Sequence, residues 1–272
     1  MTTLLAAPAL AQQHRTAQDL VTRGRALFDD QQYEESIQTL SAALLRPNNT
    51  KQQKVDIYRL LALNYITLNR KDEAESAVRG LLALDPSYEL PASESPRFRD
   101  FFKSTQQRWE SEGRPGVVKE TEPPPAPVTM QHVSPPQAKP GTDIPLKVTV
   151  DDPQGRVYDV KLFYRGQSEG KFTQQETQLG NNVASGTIPG KVVQPPLVEY
   201  FFEGFDKGGL PIVARGDVAA PLRVAVPAPS KAWLIGLGVG VGVAVVAGVI
   251  IGVLFATGAV GGGQSNVSLQ VQ

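Results

Sequence analysis

The chain has no cysteine and only two histidines among its 272 residues. The lack of cysteine excludes disulfide bonds, thiolate catalysis and cysteine-based metal sites. The two histidines, His14 and His132, are far apart in the sequence and do not supply the ligand set of a histidine-based metal site. We therefore expect neither a bound metal nor a cofactor.

The chain also has no net charge, because 27 Lys and Arg residues balance 27 Asp and Glu residues. Proteins that bind nucleic acid carry a basic face or stripe, and we expect no such partner here. The aspartates Asp151, Asp152 and Asp159 do not have the spacing of an EF-hand calcium loop. They are interpreted as residues of an aspartate-rich β-turn.

One motif is typical of hydrolases, but its surroundings are not. Residues 166–170, GQSEG, match the G-x-S-x-G pattern of a nucleophile elbow. That chemistry requires a strand-to-helix turn and a histidine base. Here the motif lies between two predicted strands and has no histidine beside it. We interpret it as a hairpin loop and expect that the protein is not an enzyme.

A long uncharged run near the end of the chain predicts membrane insertion. Residues 234–255 read LIGLGVGVGVAVVAGVIIGVLF, which at about 1.5 Å per helical residue is long enough to cross a hydrocarbon core of about 30 Å. We predict one transmembrane helix within 232–257 and a short tail at 258–272. Two glycine pairs, each with three residues between its members, would allow two such helices to pack closely and form a homo-oligomer. The alternative, which is slightly favoured, is that glycine is simply common in membrane helices. These glycines are Gly238, Gly242, Gly248 and Gly252.

The first residues favour export. Segment 1–12 is apolar and contains Ala9-Leu10-Ala11, a small-x-small pattern typical of a signal cleavage site. The positively charged start of a signal peptide is missing, so the segment is either a truncated signal-like leader or an apolar lead-in to the first helix. Lys231, the last charge before the predicted span, favours the opposite topology, but only weakly. We expect soluble domains in the periplasm.

Segment 13–112 contains two copies of one helical pattern. Ser36 and Ala74 hold the same place in the two copies, which gives a period of 38 residues. Small residues at Gly24 and Ala62 would allow close helix packing. The pattern resembles the tetratricopeptide (TPR) repeat, whose turn glycine is replaced here by Gln31 and Asn69. The matching positions are Gly24, Phe28, Tyr33, Ser36, Leu40 and Ala43 in the first copy, and Tyr58, Leu61, Ala62, Tyr65, Ala74, Val78, Leu81 and Pro86 in the second.

A further helix is expected to close this helical domain. Ser95 and Pro96 form a typical cap and first helical position. The apolar side chains after them recur on one helical face, which we interpret as a packing face rather than a ligand site. The residues of this face are Phe98, Phe101, Phe102, Thr105 and Trp109.

The second half of the chain has a different period. Segment 113–127 is rich in proline and predicts a semi-rigid linker. In 128–227, apolar and polar residues alternate between Pro and Gly turn signals, which predicts about seven short strands in a β-sandwich. The sandwich resembles immunoglobulin (Ig)-like or fibronectin-like modules. The expected fold class is therefore multidomain, α then β: TPR-like repeats, an Ig/fibronectin-like antiparallel β-sandwich and a single C-terminal transmembrane helix.

The order of these parts adds a broader resemblance. The runs LDPSYELPASESPRF at 84–98, KLFYRG at 161–166 and VEYFFEGFDKGG at 198–209, followed by the apolar segment, are similar to envelope proteins of myxobacteria and related deltaproteobacteria. The resemblance covers nearly the whole chain and involves structural motifs alone. It implies a cell-envelope protein without catalytic residues.

These observations lead to a non-enzymatic, membrane-anchored envelope scaffold or adaptor that binds a partner protein in an envelope complex. In TPR-like folds the first helix of each pair lines the concave surface, and the matching residues here are Gln18, Arg25, Asp29, Asp56, Arg59, Leu63 and Thr67. A plain solvated face explains them equally well. The alternative is a glycan- or peptidoglycan-binding sandwich, which would need exposed aromatic platforms such as Phe163, Phe201 and Phe205.

Overall fold

The computed structural model describes residues 16–117 and 125–228. The predicted leader, the predicted span at 232–257 and the glycines Gly238, Gly242, Gly248 and Gly252 lie outside the described residues. Within the two described ranges, no helix is long and apolar enough to cross a membrane.

Five helices come first within residues 16–117. They are α1 (Ala17–Asp29), α2 (Tyr33–Leu44), α3 (Lys51–Thr67), α4 (Lys71–Leu84) and α5 (Pro96–Ser111). Helices α1 and α3 begin with capping boxes, in which the Thr16 and Thr50 hydroxyls accept from the backbone N–H three residues later. Helix α5 begins at Pro96, as the sequence predicts.

Two tight turns join α1 to α2 and α3 to α4. Gln31 and Asn69 both adopt a left-handed conformation, each with φ of 60°. Asn tolerates this region more readily than Gln, yet the two turns have the same conformation. Close packing of the first hairpin explains why Gln31 accepts it, since a Cβ atom added to Gly24 on α1 would lie 2.7 Å from the Leu40 side chain on α2.

A buried polar chain connects the first three helices. The Ser36 hydroxyl donates to the Gly24 carbonyl at 2.7 Å, and Asn64 Nδ2 donates to Ser36 Oγ at 3.0 Å. All three residues are buried. Because buried polar groups are costly unless they are hydrogen-bonded, these contacts fix the relative position of α1, α2 and α3.

Within the described range 125–228, nine strands follow and form two antiparallel sheets. Sheet 1 has the order β1-β2-β6-β5, and sheet 2 the order β4-β3-β7-β8, with β9 also paired to β7. The strands are β1 (Thr129–Gln131), β2 (Ile144–Asp151), β3 (Asp159–Gly166), β4 (Thr173–Glu176), β5 (Gln178–Gly180), β6 (Val183–Ile188), β7 (Leu197–Phe205), β8 (Pro211–Arg215) and β9 (Leu222–Ala225).

The two sheets share one apolar core. Burial alternates strictly along β2, so that Leu146, Val148 and Val150 point inward. Leu162 on β3 and Phe202 on β7 meet them from sheet 2. The alternation that predicts these inward positions is confirmed.

The helices and sheet 2 are packed against each other rather than separated. Every residue of α2 from Ser36 to Ala43 is buried, which a helix with only one covered face does not show. Leu210, in the turn between β7 and β8, belongs to the helical core. The loop between β8 and β9 also reaches the helices, where Arg46 pairs with Asp217 at 2.8 Å.

The predicted fold class was therefore wrong. The described residues form five helices and two antiparallel sheets within one compact unit, a mixed α/β fold, instead of TPR-like repeats followed by a separate Ig/fibronectin-like β-sandwich. The physical reason is burial. Two helical hairpins cannot cover their own apolar surface, and here the outer face of sheet 2 covers α2.

Candidate functional site

Three of the residues predicted to bind a partner lie on α1 and are open to solvent. Gln18, Arg25 and Asp29 are all exposed. Within the described part of the chain, the side chains of Arg25 and Asp29 have no hydrogen-bond or ion-pair partner, although they stand four residues apart with opposite charges. This face of α1 is thus free to contact another molecule.

The four residues predicted on α3 are more enclosed. Leu63 is 2% exposed, and the Thr67 hydroxyl donates to the Leu63 carbonyl at 2.8 Å. Asp56 and Arg59 are half-buried, and Arg59 forms an ion pair with Glu94 at 3.4 Å. The structure brings α1 and α3 together, with the three α1 residues exposed, Asp56, Arg59 and Thr67 half-buried, and Leu63 buried.

The chain itself covers part of α3. The segment between α4 and α5, residues 85–95, packs Tyr88 and Leu90 against the helical core. Just after it, the Arg97 guanidinium donates to the Ile66 carbonyl at 2.6 Å. Arg59, one of the residues predicted to bind a partner, is thus paired within the chain with Glu94 of this segment.

The outer face of β7 carries two buried acids, and the first is fully paired. Glu199 is 0% exposed. Its carboxylate accepts from Arg165 at 2.6 Å, from Arg223 at 2.9 Å and from the Ser168 hydroxyl at 3.2 Å. Ser168, the serine of the G-x-S-x-G match, therefore serves as a hydrogen-bond donor in a β3–β4 hairpin loop.

The second acid, Glu203, has no such partners. It is 1% exposed, and its Oε1 atom is buried without a hydrogen bond. Burial, reinforced by the nearby Asp217 carboxylate and opposed by Lys161, raises the pKa of Glu203 to about 8. The carboxyl group is therefore mostly protonated at neutral pH.

Glu203 lines a cavity of about 370 Å³ between the helices and sheet 2. Ile37 on α2 and Tyr65 on α3 form part of the helical wall, while Phe163 and Phe205 belong to the sheet wall. The Tyr65 hydroxyl is buried and also lacks a hydrogen-bond partner. Burial raises the pKa of Tyr65, so this hydroxyl stays protonated. Two residues of the lining, one on α3 and one on β7, thus each carry a buried polar atom without a hydrogen-bond partner.

Two of the three cations around this cavity, Arg70 and Lys161, are already paired with acids. Arg70 pairs with Glu73 at 2.8 Å and lies 4.8 Å from the centre of the Tyr65 ring. Lys161, which stands opposite Glu203 in the strand register, pairs instead with Glu176 at 3.2 Å. The six acids of the lining outnumber its three cations. The acids are Glu34, Asp72, Glu73, Asp159, Glu203 and Asp206, and the cations are Arg70, Lys161 and Lys207.

The aromatic residues considered for glycan binding are not exposed. Phe163, Phe201 and Phe205 are between 0% and 8% exposed, and the rings of Phe163 and Phe201 stack at 4.7 Å. They form a small cluster with Phe172. A sugar-binding platform at these three residues has no open ring face, whereas Tyr158, at the cavity, is 71% exposed.

His132 takes part in a hydrogen-bond network at the edge of the sheet core. Its Nε2 atom lies 2.8 Å from the Tyr200 hydroxyl, which donates to Ser134 Oγ at 2.8 Å. Burial lowers the pKa of His132, and the ring is correspondingly neutral at pH 7. These contacts hold the segment that follows β1 against β7.

The sequence contains a signal for the buried acids. Glu199 and Glu203 interrupt the apolar strand LVEYFFEGF at the same parity as Phe201 and Phe205. Alternation alone suggests a solvent-facing side with two acids and two aromatic rings. Phe201 and Phe205, on the same strand face as the two acids, indicate that another layer covers this face.

No protein-family model matches the chain. No curated protein matches it in sequence. One similar solved structure is the Pseudomonas fluorescens alkylpurine DNA glycosylase AlkC bound to DNA containing an abasic site analog, with 11% sequence identity over 78% of this chain and 75% of that chain. Its TM-score of 0.28 is too low to support an argument about fold or function.

Proposed function

We propose that this protein is a non-enzymatic adaptor of a bacterial cell envelope that binds a partner protein through its helical layer. The observation that carries the proposal is the exposed polar face of α1, where Gln18, Arg25 and Asp29 project into solvent. Charged residues that contribute nothing to internal packing are available for contacts with a partner, and arginine is enriched at the centres of protein interfaces.

The contrast with α3 supports this choice of surface. Arg59 is held by Glu94, and Leu63 is buried. A partner that used these residues would first have to displace the segment 85–95. Arg25 needs no such rearrangement. A carboxylate of the partner bound by both arms of the Arg25 guanidinium would form a strong, charge-assisted contact.

We also propose attachment to a membrane, with the described unit on the periplasmic side. This rests on the sequence alone, namely the uncharged run at 234–255 and the small-x-small pattern at Ala9-Leu10-Ala11. Alkaline carbonate extraction of native membranes tests the attachment, and protease treatment of spheroplasts tests the side. Release by carbonate, or protection of the described unit from protease, would contradict the respective part.

Affinity capture tests the partner surface. The full chain is tagged and recovered from detergent-solubilised cells, and Arg25→Ala with Asp29→Ala is compared with Lys103→Ala, which removes an exposed cation from α5. We expect the α1 variant to lose the main partner, identified by mass spectrometry, while the Lys103 variant retains it. Both variants should melt at the wild-type temperature. Equal capture by the α1 variant would assign these residues to a solvated surface.

A further inference from the structure

The cavity beside Glu203 contains a buried acid whose Oε1 atom its own surroundings leave without a hydrogen-bond partner. On the same face of β7, Glu199 receives two arginines and one serine hydroxyl. Glu203, four residues later, is equally buried and receives none. A buried carboxylate is stable in its ionised form only when a cation and hydrogen bonds compensate it. The missing component of the Glu203 site is a cation.

Neither Lys161 nor Arg70 supplies this cation, and Lys207, the third cation of the lining, is exposed in the β7–β8 turn. Lys161 is the cross-strand neighbour of Glu203, but its ammonium group lies 3.8 Å from Asp159 and 3.2 Å from Glu176. Arg70 is bound by Glu73 and Glu34. Redirecting either cation to Glu203 would break pairs that already exist.

The shape and lining of the cavity indicate what kind of cation fits. Its volume of about 370 Å³ lies within the range of small-molecule sites. Ile37, Phe163 and Phe205 provide apolar walls. Among the described residues, no group of three His, Cys, Asp or Glu side chains could hold a metal ion. The lining thus favours an organic cation with an apolar body.

The two unsatisfied atoms, Glu203 Oε1 and the Tyr65 hydroxyl oxygen, favour an ammonium group over a guanidinium group. Glu203 Oε1 belongs to sheet 2 and the Tyr65 hydroxyl to α3. An ammonium group has three rotatable donors and can reach acceptors on different walls, whereas a guanidinium fork matches acceptors in one plane. An ammonium group can therefore use both atoms.

We propose that this cavity binds a ligand with a primary ammonium group, for which Glu203 is the counter-ion, Tyr65 a second hydrogen-bond partner, and Ile37, Phe163 and Phe205 the apolar walls. The ligand is either a free small amine or a lysine side chain of a peptide. The cavity lining and the proposed partner surface on α1 share no residue, and neither proposal depends on the other.

Proton release provides a specific signature of this site. The charged and titratable groups near Glu203 are Tyr65 from α3, Lys161 from β3 and Asp217 from the β8–β9 loop, where Asp217 is itself paired with Arg46. Because the pKa of Glu203 is about 8 in the empty site, an ammonium group that binds at pH 7 displaces its proton. Affinity should rise up to about tenfold for each pH unit between 6 and 8, since one proton is linked to binding.

Calorimetric titration of the full chain in non-ionic detergent tests the proposal. The probes are n-pentylamine, its neutral analogue 1-pentanol, and Nα-acetyl-lysine amide. We expect n-pentylamine or the lysine derivative to bind, 1-pentanol to bind at least tenfold more weakly, and the binding enthalpy to vary with the ionisation enthalpy of the buffer. Tighter binding of the lysine derivative identifies a peptide source, and tighter binding of n-pentylamine identifies a free amine.

Variants locate the binding within the cavity. Glu203→Gln should weaken amine binding at least tenfold and abolish proton release, and Tyr65→Phe should weaken binding severalfold. Asp72→Asn removes an exposed carboxylate from the same lining and should change binding less than twofold. Failure of wild-type protein to bind either amine at millimolar concentration, equal binding of 1-pentanol, or unchanged binding by Glu203→Gln would overturn the proposal.

Discussion

Glu199 and Glu203 lie on the same face of β7, both buried beneath the helices and loops that cover sheet 2, yet they differ completely in their partners. Glu199 is held by Arg165 and Arg223, whereas Glu203 Oε1 has no hydrogen bond. Two carboxyl groups of one strand therefore have opposite roles. One anchors the β3–β4 loop and β9 to β7, and the other leaves an unsatisfied group in the cavity between helices and sheet.

The unpaired acid should make the protein less stable as the pH rises. The pKa of Glu203 is about 8 in the folded chain and near 4.5 when the group is unperturbed. Between these values the folded state binds more protons than the unfolded state. The stability associated with the neutral carboxyl group is therefore fully present below about pH 4.5 and is lost as the pH rises through 8, by up to about 1.4 kcal/mol per pH unit.

Glu203→Gln removes this ionisation and isolates its effect. We expect the difference in free energy of unfolding, variant minus wild type, to increase from pH 5 to pH 8 in urea denaturation experiments. Asp72→Asn serves as the control for loss of an exposed carboxylate. A difference between Glu203→Gln and wild type that does not change with pH would contradict the raised pKa.

Neutralising Glu199, the paired acid, should destabilise the folded protein, whereas Glu203→Gln removes an ionisation that destabilises it. Glu199→Gln leaves Arg165, whose side chain is 19% exposed, without a counter-ion in a buried site. Breaking a buried ion pair by removing one partner costs about 3 to 5 kcal/mol. Urea denaturation at pH 7 measures the loss. Glu176→Gln, at a side chain that is 64% exposed, should cost less than about 1 kcal/mol, and equal effects of the two changes would contradict the special role of Glu199.

Gly24 should be intolerant of a methyl group despite its position within a helix. Alanine is favoured over glycine in a helix by about 1 kcal/mol. A Cβ atom at Gly24 would, however, lie 2.7 Å from Leu40, and overpacking of a core costs about 1 to 3 kcal/mol. We expect Gly24→Ala to lower the melting temperature. Its cost should shrink in a Leu40→Ala background, and additive effects would exclude the direct clash.

The sequence predicts local structure here better than it predicts assembly. Spacing and residue type predict the start of α5 at Pro96, the close helix packing at Gly24 and the alternating burial along β2. The same local rules place Glu203 and Phe205 on an outer strand face. Whether that face meets water or a helix depends on contacts between residues far apart in the chain, such as Leu210 with the helical core.

The candidate sites also differ in how much of each can be predicted from the sequence. The exposure of Arg25 on α1 follows from helical periodicity. The pairing of Arg59 with Glu94 does not, because the path of segment 85–95 across α3 has no periodic signal. The cavity lining combines Tyr65 and Glu203, which are separated by more than half of the described chain. Spacing within one helix or one strand carries no information about such a pair.

Docking of the helices on sheet 2 should make unfolding a single event. The glycines of the β7–β8 turn lie directly against α4, because a Cβ atom at Gly208 or Gly209 would collide with Ser76 or Glu73. Leu210, 8% exposed, continues this contact into the helical core. Leu210→Ala removes buried methyl groups from the junction and should cost about 2 to 5 kcal/mol.

Three optical signals distinguish this junction from an ordinary core position. Far-UV circular dichroism follows mainly the helices, while fluorescence of Trp109, buried on α5, follows the helical core. Near-UV signals include contributions from Tyr200 and Phe202 in the core between the sheets, beside those of Tyr65 and Trp109 in the helical core. We expect all three signals to shift together in Leu210→Ala. If the near-UV signal of the sheets kept its wild-type midpoint while the helical signals moved, the helices and sheets would be independent folding units.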